Sequence, residues 1–283
     1  MKQFKLFATF LMVVLCALFI TSCTKDDNNG SSSNDSNNLS TGQVEVKVYP
    51  DTYNNVYNVS FSAITQKITI DWGDGTTDNL TPNGAYKSFS HVYSNQNLQT
   101  IKVNTEGMTG FEDGIGYLQE LEFGNCPDLT ILSIESDKLT NLGVSKCTAL
   151  TLLECTGNQL TSLDVSKCTA LRYLDCQSCQ LTSLDVSKCS ALILLDCNSN
   201  QLTSLDVSKC TALVGLNCYG NQVSASALNA LFNSLPAKKS NDNANIFYDS
   251  NPGSNGCDKT IATNKGWGFN LSAISAIEEN WTN

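Results

Sequence analysis

The residues of this chain best suited to chemistry are its cysteines. Thirteen in 283 residues offer zinc binding, disulfide formation or a nucleophilic thiol. Their spacing argues against a site. Cys126, Cys147, Cys168, Cys189 and Cys210 follow one another at 21 residues, as do Cys155, Cys176, Cys197 and Cys218. Equal steps make a line of sulfurs, whereas structural zinc needs four converging ligands. Cys176-Gln177-Ser178-Cys179 is a C-x-x-C pair with no second pair beside it. His91 is the one histidine and has no histidine partner for a metal or a nucleophile. Two residues before Tyr93, it reads as a structural hydrogen-bonding residue. The cysteine columns occupy inward-facing apolar positions, so core packing by free thiols is expected. Scattered disulfides stay open as a second reading.

The carboxylates form lines as well. Glu154, Asp175 and Asp196 make one column, and Asp164, Asp185 and Asp206 another. Glycosidases need two carboxylates near each other, but tuned to different roles. A carboxylate repeated in every unit fits surface design better. Arg172 is the single arginine, and no glycine-rich phosphate loop is present. With 17 Lys+Arg against 27 Asp+Glu the net charge is −10, which argues against nucleic acid as a partner. The expectation is a chain that is not an enzyme and uses no cofactor or metal.

The elements that must position these lines are repeats. Leu139 opens LTNLGVSKCTALTLLECTGNQ, Leu160 opens LTSLDVSKCTALRYLDCQSCQ, Leu181 opens LTSLDVSKCSALILLDCNSNQ, and Leu202 opens LTSLDVSKCTALVGLNCYGNQ. A looser copy starts at Leu118 and a degraded one at Val223. Each unit keeps one apolar set, in the third copy Leu160, Leu163, Val165, Cys168, Leu171, Leu174 and Cys176. No unit can bury that set alone, but stacked units cover one another.

These residues resemble leucine-rich repeats. Leu150-Leu153-Cys155-Asn158-Leu160 and Leu192-Leu195-Cys197-Asn200-Leu202 match the family's LxxLxLxxNxL strand. The resemblance implies an internal asparagine ladder, interrupted where Cys179 replaces Asn. LTSLDVSKC follows a related pattern, so strands are expected on two sides of each coil, with no helix inside it. This is similar to the short 21-residue subclass of the family.

Ahead of the repeats, VEVKVYP, VYNVSFSA, KITIDWG and LQTIKVN alternate like strands. Asp71-Trp72-Gly73-Asp74-Gly75-Thr76, followed by His91-Val92-Tyr93, resembles the PKD-type immunoglobulin-like sandwich. The two glycines allow a tight turn and Asp74 can bond nearby amides. The fold class expected is mainly β: a small PKD-like sandwich over residues 44–110, a leucine-rich-repeat solenoid over 118–222, and a degenerate repeat with an irregular cap over 223–283. In the cap, Ala225 to Leu235 reads as a helix ended by Pro236, the stretch near Phe247 as a strand, and Lys259 to Asn264 as a short helix.

The N-terminus reads as an export signal over residues 1–22. Lys2 and Lys5 precede an apolar run from Phe7 to Ile20, too short for an ordinary membrane span. Ending in Ile20-Thr21-Ser22-Cys23, it resembles a bacterial lipoprotein signal, which implies lipid on Cys23 and anchoring in the outer membrane. Loss of Lys2 and Lys5 takes the net charge from −10 to −12. Residues 23–43 have the composition of a tether. Lys25-Asp26-Asp27 resembles the acidic export signal of Bacteroidota lipoproteins, which implies an outward-facing anchor; a periplasmic face is the alternative.

Function is expected on outward columns. One face is nearly constant: Ser162, Ser183 and Ser204, the Asp164 column, and Lys167, Lys188 and Lys209. The other varies, with Tyr173, Asp175, Gln177, Asp196, Asn198 and Tyr219 as the expected binding face. The partner expected is an extracellular or host protein. A glycan captured for polysaccharide use, or a spacer role without a partner, is the alternative.

Overall fold

The computed structural model describes residues 43–48, 56–63, 68–81, 87–95, 97–104, 108–113, 118–135, 138–239 and 241–282. The signal segment, Cys23 and the tether lie outside the described residues.

Two β-sheets run through the described residues. The first holds β10(Asn141–Gly143), β8(Leu118–Phe123), β1(Gln43–Val48), β6(Gln99–Asn104), β3(Ile68–Asp71) and β4(Thr77–Leu80), in that order. The second holds β15(Asn245–Phe247), β14(Gly215–Asn217), β13(Leu194–Asp196), β12(Tyr173–Asp175), β11(Leu152–Glu154), β9(Ile131–Ile134), β7(Met108–Asp113), β2(Val56–Ala63) and β5(Lys87–Val92). In the second sheet β5, β2 and β7 are antiparallel neighbours, and along that sheet from β7 to β15 every pairing is parallel. The strand region and the repeats thus share both sheets. β1 pairs with β8, and β7 with β9, so the first coil is covered on both walls.

Alternation explains the N-terminal strands. Val44, Val46 and Val48 of β1, Ile68 and Ile70 of β3, and Ile101 and Val103 of β6 are buried, while the residues between them are not. At the DWGDGT turn, Trp72 is buried and His91 stacks on it at 4.7 Å. His91 Nε2 donates to Asp74 Oδ2 at 2.8 Å, and Tyr93 Oη donates to Trp72 O at 3.0 Å. His91 is therefore a structural residue. Asp74 also accepts from Thr76, and these bonds hold its carboxyl down at about 2. Gly73 has φ +82, and a Cβ there would come 2.5 Å from Thr100 O.

The repeats form a β-solenoid. Leu153, Leu174, Leu195, Leu216 and Ile246 stand in register on successive strands and point inward. Above the strand, the ladder asparagine stitches coil to coil. Asn200 Nδ2 donates to Cys176 O at 2.8 Å and Cys197 O at 3.2 Å, while its Oδ1 accepts Leu181 N at 2.9 Å. Asn158, Asn221 and Asn251 repeat the pattern. At Cys179 the ladder thins rather than breaks: its Sγ donates to Cys155 O at 3.3 Å, and the amides of Asn158 and Leu160 point at the sulfur.

The second wall departs from expectation. Only β8 and β10 are strands there, paired in parallel; the LTSLDV segments from Leu160 onward are extended without ladder pairing. Each is followed by two sharp turns, with Cys168 N bonding Val165 O at 3.0 Å and Leu171 N bonding Cys168 O at 3.1 Å. The coil that carries β10 makes the same two turns, with Cys147 N bonding Val144 O at 3.0 Å and Leu150 N bonding Cys147 O at 3.2 Å, so the turns are common to paired and unpaired segments of this wall. No helix occurs within the described residues of the 21-residue coils.

The period fails after Gln222 because the next coil is longer. It contains α1(Ala225–Ser234), and its ladder asparagine is Asn251. Ser224 caps α1 by accepting Ala227 N, and Leu228, Leu231 and Phe232 cover the last coil. β15 follows, then α2(Thr260–Thr263). A final helix, α3(Leu271–Thr282), was not anticipated from the sequence.

Candidate functional site

The outward side of the parallel sheet carries the residues expected to bind. Three rows run across the coils. The first is Leu152, Tyr173, Leu194 and Gly215; the second is Glu154, Asp175, Asp196 and Asn217. The third is Thr156, Gln177, Asn198 and Tyr219.

The first row is not open. Ile131, Leu152, Tyr173 and Leu194 form a second apolar core with Ile274 of α3, and Phe247 packs against it. Tyr173 is only 4% exposed. A contact role for Tyr173 on an open face is therefore corrected: its ring is part of the seat of the C-terminal helix. The cause is apolar chemistry on an outward row, which a sheet leaves in water unless something covers it. The signal for the cover is in the sequence, where Ile274, Ile277 and Trp281 recur at helical spacing.

The second row is polar and buried. Asp175 and Asp196 are each 4% exposed and stand opposite one another on β12 and β13. Asp196 accepts from Asn198 N at 3.0 Å, Asn198 Nδ2 at 2.6 Å and Asn217 Nδ2 at 2.9 Å. Asp175 accepts from Gln177 N at 3.0 Å and Gln177 Nε2 at 2.8 Å. Burial, reinforced by the Asp175 charge, pushes the Asp196 carboxyl up to about 6. Ser133 Oγ donates to Glu154 Oε2 at 2.8 Å in the same row. The two aspartates that were expected to face a partner are thus engaged in holding their own rows. Their oxygens are occupied by amides, which suits structure rather than proton transfer.

The third row is accessible. Thr156, Gln177 and Asn198 are half-buried, and Tyr219 is 37% exposed. Asn198 Nδ2 reaches Gln177 Oε1 at 3.4 Å, so the amides connect along the row. The Tyr219 ring stacks on Phe247 with centroids 5.3 Å apart and planes 3° from parallel. Of the expected binding residues, Gln177, Asn198 and Tyr219 are brought together on accessible surface; Tyr173, Asp175 and Asp196 lie beneath.

The constant wall is exposed throughout. Asp164, Asp185 and Asp206 each accept the amide two residues on, from Ser166, Ser187 and Ser208. These bonds lower all three carboxyls. A shallow depression of about 250 Å³ lies among Ser183, Asp185, Ser204, Asp206 and Lys209.

The eleven cysteines among the described residues are free thiols. Ten are buried and Cys257 is half-buried. Their Sγ atoms donate weakly between coils: Cys168 to Val144 O at 3.6 Å, Cys210 to Val186 O at 3.5 Å, Cys197 to Asn217 O at 3.4 Å. A leucine could fill these places but could not make that contact. Burial pushes Cys168, Cys210 and Cys218 up to about 12, which keeps them protonated and inert. Among the described residues no group of three or more His, Cys, Asp or Glu is placed to hold a metal ion.

No protein-family model matches the sequence, and no curated protein matches it. Among solved structures, the chain is similar to the functional domain of InlJ from Listeria monocytogenes, described as including a cysteine ladder. Identity there is 26% over 48% of this chain and 33% of that one, with a TM-score of 0.37. It is also similar to a leucine-rich-repeat protein of Leptospira interrogans, with 21% identity, 44% and 38% coverage and a TM-score of 0.34. The matched part spans well under half the length of either protein.

Proposed function

We propose that this chain is a non-enzymatic binding protein of the leucine-rich-repeat kind, held to a bacterial outer membrane by lipid on Cys23 and facing outward. Its PKD-like strand region stands between the tether and the repeats, and the solenoid offers the row Thr156, Gln177, Asn198 and Tyr219 to an extracellular or host protein.

One observation carries the choice of surface. This row changes chemical type from coil to coil and is accessible, while the two rows beside it on the same strands are covered or internally bonded. A surface that differs at each step can specify one partner. Tyr219 supplies rigid area with a polar tip, the kind of side chain that dominates binding energy at interfaces.

The test is capture by the purified chain before and after Tyr219→Ala with Gln177→Ala. Loss of a captured protein, with the thermal transition unchanged, supports the reading. Unchanged capture moves the binding face elsewhere. Capture of an oligosaccharide in place of a protein would favour the glycan alternative. Metabolic labelling with a fatty acid, lost in Cys23→Ser, tests the anchor independently.

A further inference from the structure

Cys179 is the one cysteine that interrupts the asparagine ladder, and it is the most exposed of the ten buried thiols, at 6% against 0–3% for the rest. Its Sγ turns back toward the preceding coil and donates to Cys155 O at 3.3 Å. That contact seats the Cys179 sulfur against Cys155 of the preceding coil. Cys176, only three residues from Cys179, turns the opposite way: its Sγ donates to Asp196 O of the following coil at 3.5 Å. The C-x-x-C pair therefore diverges, and the sulfur that meets Cys179 belongs to another coil. Within the columns, by contrast, cysteines on in-register neighbours point in the same direction about 4.8 Å apart, wider than the Cβ separation of a disulfide.

We propose that Cys155 and Cys179 are a modification site: they form a reversible disulfide that locks consecutive coils together when the protein meets a two-electron thiol oxidant such as hydrogen peroxide. Cys179 is the attacking group. The neighbouring Cys155 thiol and the Asn158 and Leu160 amides favour its thiolate and draw its pKa below the ordinary thiol value. The thiolate attacks one peroxide oxygen; the O–O bond breaks, and the leaving hydroxide takes up the thiol proton as water. Cys179 is then a sulfenic acid. The Cys155 sulfur displaces its oxygen, which leaves with the Cys155 proton as a second water, and the S–S bond forms. Two thiols have been oxidised and one peroxide reduced.

The experiment exposes the reduced, purified chain to hydrogen peroxide under native conditions. Free thiols are then blocked with N-ethylmaleimide in denaturant, and the protein is digested with trypsin and analysed by mass spectrometry. Oxidation of the half-buried Cys257 reports that the oxidant was delivered. The expected product is the peptide Cys147–Lys167 joined to Tyr173–Lys188 through Cys155 and Cys179, separated again by a thiol reductant. Cys179→Asn restores the ladder residue of the neighbouring coils, so this variant folds, and it should lack the joined pair. Three results would overturn the proposal: oxidised Cys257 with Cys179 still blocked by maleimide, a joined pair that persists in Cys179→Asn, or a link that fragmentation assigns to Cys176.

Discussion

Asp196 stands opposite Asp175 across adjacent parallel strands, and the two carboxyl groups share one dry strip of surface. Two carboxylates so placed cannot both ionise without cost, and burial adds to that cost. The proton on Asp196 is held up to about 6, above its unfolded value of 3.8, so the folded state binds it more tightly. Stability from this pair is then fullest below the unfolded value and falls as pH rises from about 4 to about 6, with no further change above. Asp196→Asn copies Asn217 of the next coil. It should raise stability at pH 7 by on the order of 2 kcal/mol and flatten the pH dependence between about 4 and 6. Thermal unfolding of both proteins across that range checks this; parallel profiles would contradict it.

The ladder supplies a second prediction. Asn200→Ala leaves the Leu181 amide and the Cys176 and Cys197 carbonyls without the side-chain amide that joins them. A loss of about 3 kcal/mol is expected from several unmet buried bonds. Cys179→Asn goes the other way and should gain about 1 kcal/mol. Urea midpoints measure both; a stabilising Asn200→Ala would show that the amide is dispensable.

Backbone conformation gives a third. Ser178 and Ser199 have φ 54, in the column where Gly157 and Gly220 have φ 72 and 63. Left-handed backbone disfavours a Cβ, so Ser178→Gly should stabilise by about 0.5–1 kcal/mol and Gly220→Ala should destabilise by a similar amount. Reversed signs in chemical denaturation would mean these turns are built differently.

The covered row gives a fourth. Deleting residues from Leu271 onward uncovers Ile131, Leu152, Tyr173 and Leu194. The shortened chain should bind a dye specific for apolar surface and unfold at lower temperature. Tyr173→Ala in the intact chain should cost about 3 kcal/mol. A loss under 0.5 kcal/mol would place the tyrosine on open surface after all.

The repeat was legible because a fixed step turns each inward residue into a column. Leu174 or Cys197 can be placed inside simply by reading down the copies. Helix α1, the strand at Phe247 and the short helix α2 were legible from Pro236, the apolar spacing and the flanking turns. Covered rows were not. Alternation says that Tyr173 points away from the core, and it does; it does not say that α3, about a hundred residues on, returns to lie over it. Nor does alternation say that Asp175 and Asp196, also outward-facing, are buried. The second wall misled because LTSLDVSKC carries a strand-like pattern, while ladder pairing on that wall ends at β10.

Thiol accessibility, residue by residue, bears most directly on the stacked solenoid. The reduced chain is treated with a maleimide under native conditions, and each cysteine from Cys126 to Cys257 is followed by mass spectrometry. Cys257 should react first and Cys179 second, with Cys147, Cys168, Cys189 and Cys210 of one column and Cys155, Cys176, Cys197 and Cys218 of the other reacting only in denaturant. Rapid native labelling along either column would place those sulfurs in water and contradict the stacking of coils on which the binding surface depends.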